Sequence, residues 1–128
     1  MGIDVYLRWT GQTDEERQAQ YTGFSIVHGH VGYLREAYHG EPYATRILVP
    51  EAFSESGDDE GGVLIPAAIL RERLPAALET CERRHRTLYP SDTPEDIAEY
   101  KQSYIDFVQL AEQKETETGE FVRVVVSS

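Results

Sequence analysis

The stretch "TPEDIAEYKQSYIDFVQLAEQKETETGEFVRVVVS", residues 93–127, predicts a long helix followed by a strand. Thr93 can cap the helix, a proline takes the first helical position, and Gly119 can end it. Apolar side chains repeat at helical spacing at Ile97, Tyr100, Tyr104, Phe107, Val108 and Ala111. The last residues are apolar at both alternating positions, which is typical of a central or covered strand. We therefore expect a helix from Pro94 to Thr118 and a strand from Phe121 to Ser127.

A second long helix is predicted just before this stretch, from Pro66 to Leu88. Its apolar residues form one stripe at spacings of four, four, three and seven: Leu70, Leu74, Leu78, Cys81 and Leu88. Pro75 lies inside it, where proline lacks an N–H and crowds the preceding turn. We expect a kink at Pro75, or two helices in series.

The first part of the chain predicts strands and short helices. Apolar and polar residues alternate from Ile3 to Trp9, which indicates a half-buried strand. Thr13 and the glutamate three residues later form a capping box, so a short helix should run from Asp14 to Gln20. The segments "TGFSIV" (22–27) and "ATRILVP" (44–50) predict further strands.

The order of these elements predicts an α+β fold. Strands dominate the first part, two long helices follow, and a strand comes last. We expect one domain over residues 1–128, with a mainly antiparallel sheet that contains both terminal strands and is covered by the two long helices.

The charge of the chain excludes several partners. It has 23 acidic and 12 basic residues, for a formal net charge of -11. Nucleic-acid backbones and anionic membrane surfaces would repel such a protein, so we expect neither as a direct partner. The N-terminus lacks the pattern of a signal peptide, and a single cysteine, Cys81, on the apolar stripe predicts a core thiol. These features favour a cytoplasmic protein.

The most polar cluster is "FSIVHGHVGYLREAYHG", residues 24–40. His28 and His30 are two residues apart and could bind zinc, nickel or iron, with His39 or Glu36 as a third ligand. Glu36 could instead be a general base with Tyr33 or Tyr38 as the acid. No second histidine cluster or HExxH motif accompanies the pair, so the spacing alone is weak support for a metal.

The same cluster also predicts a ligand site without a metal. We expect the chain to turn through 29–32 into a short helix that holds Leu34 and Tyr38 toward the core. The ligand-binding candidates are His28, His30, Tyr33, Arg35, Glu36 and His39, with the last three toward solvent or a cleft. Because N–H groups at a helix start attract anions, the expected ligand is a small anion, and a protein partner is the other candidate.

The segments "MGIDVYLRW", "GFSIVHGHVGYLREAYHG" and "PYATRILVPEAF" resemble a family of small uncharacterised bacterial proteins. The resemblance covers roughly the first half of the chain. It implies no activity, cofactor or functional residue.

Three functions remain open from the sequence. The first is a small acidic binding module without catalysis or cofactor, since no catalytic constellation is complete. The second is a metal-dependent hydrolase built on His28 and His30 with a divalent transition metal. The third is an acidic immunity-like or DNA-mimicking inhibitor, which would need its acids on one face. The sequence leaves the oligomeric state open, a homodimer included.

Overall fold

The computed structural model describes residues 2–22, 31–37, 42–54 and 62–127. In chain order the elements are β1 (Gly2–Arg8), α1 (Asp14–Thr22), β2 (Tyr33–Ala37), α2 (Ala44–Leu48), α3 (Pro50–Ser54), β3 (Val63–Leu64), α4 (Ala67–Leu88), α5 (Pro94–Thr118) and β4 (Arg123–Ser127).

The strands form one antiparallel sheet in the order β2-β1-β4-β3. The two terminal strands are therefore neighbours, with Val5 opposite Val126 and Leu7 opposite Val124. The predicted α+β class, with both terminal strands in an antiparallel sheet, is confirmed. The last strand is also central as predicted, because β4 lies between β1 and β3.

The long helices α4 and α5 pack on one face of this sheet. The core contains Ile3, Val5 and Leu7 of β1 together with Leu70, Leu74, Phe107 and Val108 of the helices. This face is called the inner face below. Among the described residues, no helix has the length and apolar character needed to cross a membrane.

The helix α5 has the predicted bounds because its ends are encoded locally. The Thr93 side chain accepts a hydrogen bond from the Asp96 N–H at 3.1 Å, and the Asp96 carboxylate accepts one from the Thr93 N–H at 3.0 Å. Gly119 ends the helix in the left-handed conformation, with a φ of 73°. The predicted α1 is also present, with its capping box between Thr13 and Glu16, although it continues to Thr22.

The helix α4 runs unbroken past Pro75, so the alternative of two helices in series is wrong. Pro75 lies on an exposed position of the helix, where its ring meets solvent rather than the core.

Two predictions for the first part of the chain are wrong. Residues 33–37, expected in a short helix, form the strand β2, whose register with β1 pairs Leu34 with Val5. Residues 44–48, expected in a strand, form the helix α2, because the Glu36 carboxylate accepts hydrogen bonds from the N–H groups of Ala44 and Thr45 at the helix start. The predicted strand at 22–27 lies outside the described residues, apart from Thr22 in α1, and so does Tyr38.

Candidate functional site: the outer face of the sheet

The sheet face opposite the long helices, called the outer face here, is rich in arginine and tyrosine. Strand alternation places Tyr6, Arg8, Tyr33, Arg35 and Arg123 on this face, since their neighbours in the strands are core residues. Asp4 is the one carboxylate that the described strands contribute to it. The described strands therefore contribute an excess of positive side chains to this face, on a protein whose net charge is -11.

Three tyrosines form a cluster at one end of this face. The rings of Tyr6 and Tyr33, on paired strands, are stacked with centroids 5.4 Å apart. Tyr21 comes from α1 and meets Tyr6 edge-to-face at 5.3 Å. Because Tyr21 is 57% exposed, the cluster opens to solvent on the α1 side.

Arg8 lies under this cluster and is 8% exposed. Its guanidinium donates to the Gln20 side-chain oxygen and, at 3.1 Å, to the Tyr21 hydroxyl. It also lies 5.4 Å from the Tyr6 ring centroid and 5.8 Å from that of Tyr21. Within the described part of the chain, every recorded partner of Arg8 is neutral, so no carboxylate balances this charge.

The surroundings of Arg8 disfavour its charge further. Burial lowers the pKa of the Arg8 guanidinium, the Tyr21 hydroxyl partly offsets this, and the positive charge of Arg17 lowers the pKa again. Arg123 is the residue directly opposite Arg8 in the β1–β4 register. Like charges at directly opposed positions repel each other, and an arginine keeps its charge at neutral pH.

Gln20 fixes α1 against the strand ends and so places Tyr21 over Arg8. The Gln20 side-chain nitrogen donates to the carbonyl oxygens of Leu7 at 2.9 Å, Val31 at 2.8 Å and Gly32 at 3.2 Å. Gly32 has a φ of +84°, and a Cβ there would lie 2.8 Å from the Leu7 Cβ, so glycine is required at this point.

The neighbouring part of the outer face holds a paired arginine. The Arg35 guanidinium and the Tyr33 hydroxyl both donate to one carboxylate oxygen of Asp4, each at 2.7 Å. Burial and the hydrogen bond to Asp4 raise the pKa of Tyr33. The charge of Arg35 is thus balanced by Asp4, whereas the described partners of Arg8 are neutral.

Glu36 belongs to the inner face and has a structural role. Its carboxylate pairs with Arg84 at 3.1 Å, and both side chains are buried. It also accepts from the Thr45 hydroxyl and from the start of α2, while Arg84 donates to the carbonyl oxygens of Ala37 and Pro42. Both carboxylate oxygens of Glu36 already have partners, Thr45 at one and Ala44 with Arg84 at the other. Glu36 is therefore poorly placed to act as a general base.

The structure brings two of the predicted site residues together. Tyr33 and Arg35 share the outer face, whereas strand alternation places Glu36 on the opposite side. His28, His30 and His39, with the predicted metal pair among them, lie outside the described residues. Within the described ranges, no group of three or more histidine, cysteine or acidic side chains could hold a metal ion.

Tyr6, Arg8 and Tyr21 are not among the ligand-binding residues predicted from the sequence. The available signal was the spacing of Tyr6 and Arg8, which puts both on one face of the first strand. The sequence alone does not show that this face is rich in positive charge, because only the β1–β4 pairing sets Arg123 opposite Arg8. Cys81 was predicted correctly as a core residue: it is buried, and burial, with a smaller contribution from Glu36, raises its pKa to about 12.

Comparisons with protein-family models, with curated proteins and with solved structures find no match to this chain.

Proposed function

We propose that the protein is a small binding module, without catalysis or a metal cofactor, that recognises an anionic group on a small molecule or on a protein partner. The observation that carries the proposal is the buried Arg8 guanidinium, whose described partners are all neutral.

A buried charge without a counter-ion is costly, and a bound carboxylate or phosphate would offset that cost. Arginine suits this role because its planar donors match the oxygens of such groups. The exposed Tyr21 adds a hydroxyl beside the guanidinium, and the tyrosine cluster adds the amphipathic area that binding surfaces commonly use.

The proposed partner is a small molecule or a protein. The overall charge of -11 repels a long phosphate backbone, so a nucleic acid is not the proposed partner. The cytoplasm is the proposed location, since the chain has one cysteine and it is a buried thiol.

Amide-shift mapping by NMR tests this function. We expect acetate, inorganic phosphate and a short glutamate peptide, added at low ionic strength, to shift the amides of Arg8, Tyr21 and Arg123. A single-stranded oligonucleotide should shift them no more than phosphate does. Anion-induced shifts confined to residues outside this set would contradict the proposal.

Metal analysis of protein made without a histidine tag tests the absence of a cofactor. We expect substoichiometric zinc, nickel and iron. A stoichiometric metal that is lost in the His28→Ala variant would favour the hydrolase instead.

A further inference from the structure

A cleft of about 310 Å³ lies where the end of β2 meets the turn between α4 and α5. Its lining includes Ala37 from the strand, His85 and Tyr89 at the end of α4, Asp92 in the turn, and Tyr100 from α5. The function proposed above does not use these groups.

His85 and Asp92 form a fixed pair in this cleft. The Nδ1 atom of His85 lies 2.8 Å from a carboxylate oxygen of Asp92. The imidazole stacks on the Tyr100 ring, with centroids 4.1 Å apart and planes 24° apart, and it meets the Tyr89 ring at 5.1 Å. Packing on two rings and the bond to Asp92 hold the imidazole in one orientation.

The other ring nitrogen of His85 remains available. No described residue bonds to Nε2, and every fully buried side-chain nitrogen or oxygen in the described part of the chain has a partner. Nε2 is therefore reached by solvent. When Nδ1 donates its proton to Asp92, the neutral imidazole presents a lone pair at Nε2.

The charges around the cleft favour a cation. Two arginines border it, but Arg84 is paired with Glu36 at 3.1 Å and Arg35 with Asp4 at 2.7 Å. Asp92 has only His85 as a recorded partner among the described residues. Burial is the main cause that raises the pKa of Tyr100, and the negative charges of Asp92 and Asp96 raise it further. These two carboxylates therefore place a negative potential at the ring.

We propose that this cleft binds an organic ammonium group, which donates to the second carboxylate oxygen of Asp92 while its charge faces the Tyr100 ring. Nε2 of His85 points away from Asp92 and can accept from a further donor of the ligand. Ammonium groups bind to such rings by cation–π attraction, and a carboxylate adds a charge-assisted hydrogen bond. The net charge of -11 attracts cations to the surface as a whole.

Calorimetric titration with three compounds of matched shape tests the proposal. Benzylamine carries the ammonium group, benzyl alcohol is its neutral analogue, and benzoate is the anion. We expect benzylamine to bind at least about tenfold more tightly than benzyl alcohol at neutral pH, and benzoate to bind more weakly than either at this cleft. The NMR shifts caused by benzylamine should centre on His85, Tyr89 and Tyr100.

Two variants separate the cleft from a general attraction of cations. Asp92→Asn removes the charge but keeps an oxygen that can accept from His85, and it should weaken benzylamine binding about tenfold. Glu72→Gln removes an exposed charge elsewhere on α4 and should leave the affinity unchanged. Tyr100→Leu, at a 47% exposed position, gives a second variant if Asp92→Asn does not fold.

Equal affinities for benzylamine and benzyl alcohol would overturn the proposal, and so would an absence of binding. Equal losses in the Asp92→Asn and Glu72→Gln variants would also overturn it. These results are independent of Arg8, so they leave the function proposed for the outer face untouched.

Discussion

At the scale of single residues, Glu36 and Arg8 show two ways in which a charge is buried. Glu36 has Arg84 as its counter-ion and also bonds to the start of α2. Arg8 bonds to an amide oxygen and a hydroxyl. The first arrangement includes a counter-ion, whereas the described partners of Arg8 are neutral, and the ligand proposed above would balance its charge.

Loss of the Glu36 charge should be strongly destabilising. The Glu36→Gln variant removes the charge that pairs with the buried Arg84 guanidinium and weakens the bonds to the start of α2, and we expect it to lower the free energy of unfolding by about 3 kcal/mol. Urea unfolding followed by circular dichroism measures this change. Glu79→Gln is the matched control, because it breaks an exposed pair with Arg83 and should cost less than about 1 kcal/mol. Similar losses in the two variants would show that the Glu36–Arg84 pair is not a buried ion pair.

At the scale of elements, local signals explain which predictions were correct. In each cap, of α1 and of α5, the two bonded residues are three positions apart in sequence, and the alternation of β1 is visible in seven residues. The start of α2 depends instead on a carboxylate eight residues earlier, at Glu36, which a local pattern cannot reveal. The strand β2 depends on pairing with β1, about thirty residues away, and that pairing overrides the helical spacing of Leu34 and Tyr38.

The candidate site could be predicted in part for the same reason. Tyr33 and Arg35 belong to a visibly polar cluster, and the sequence indicated them as ligand-binding residues. Arg8 bonds to Gln20 of a separate helix, and Arg123 lies opposite Arg8 only through the β1–β4 register. Neither relation leaves a local pattern in the sequence.

The hydrogen bonds that cap α5 should make a contribution of their own to the stability of the protein. We expect Thr93→Ala to lower the free energy of unfolding by about 1 kcal/mol, because the Asp96 N–H loses its acceptor. Thermal unfolding compared with Thr87→Ala checks this, since Thr87 is exposed inside α4 and alanine there should be neutral or slightly stabilising. A cap with no measurable effect would mean that packing alone fixes the start of α5.

At the scale of the whole molecule, charge is distributed unevenly. The helices α1 and α5 begin with acidic turns, and the net charge is -11. The described strands nevertheless contribute three arginines to the outer face, Arg8, Arg35 and Arg123, against the single carboxylate of Asp4. An anion would thus be repelled by most of the surface and attracted to this face, which makes binding specific in position and sensitive to salt.

Stability should fall in acid through three ion pairs that involve the helices. Hydrogen bonds from Arg73, Lys101 and Arg71 lower the pKa values of Glu51, Glu82 and Glu112, respectively. A carboxyl group whose pKa is lowered by folding contributes stability above its unfolded pKa, and this contribution is lost as the pH falls through the lower, folded value. We expect the free energy of unfolding to decrease from about pH 5 to about pH 3, and to decrease less in Glu51→Gln. Equal values at the two pH values in the parent protein would rule out these pairs as the cause.

The affinity of a short glutamate peptide for the protein and for two variants tests the anion site most directly. Arg8→Gln and Arg71→Gln each remove one positive charge, but Arg71 pairs with Glu112 between the two long helices, away from the outer face. Calorimetry at low ionic strength should show binding to the parent protein, nearly the same affinity in Arg71→Gln, and a loss of about tenfold or more in Arg8→Gln. Near-ultraviolet circular dichroism confirms that both variants are folded. Equal affinities in all three proteins, or no binding to the parent protein, would contradict an anion site at Arg8.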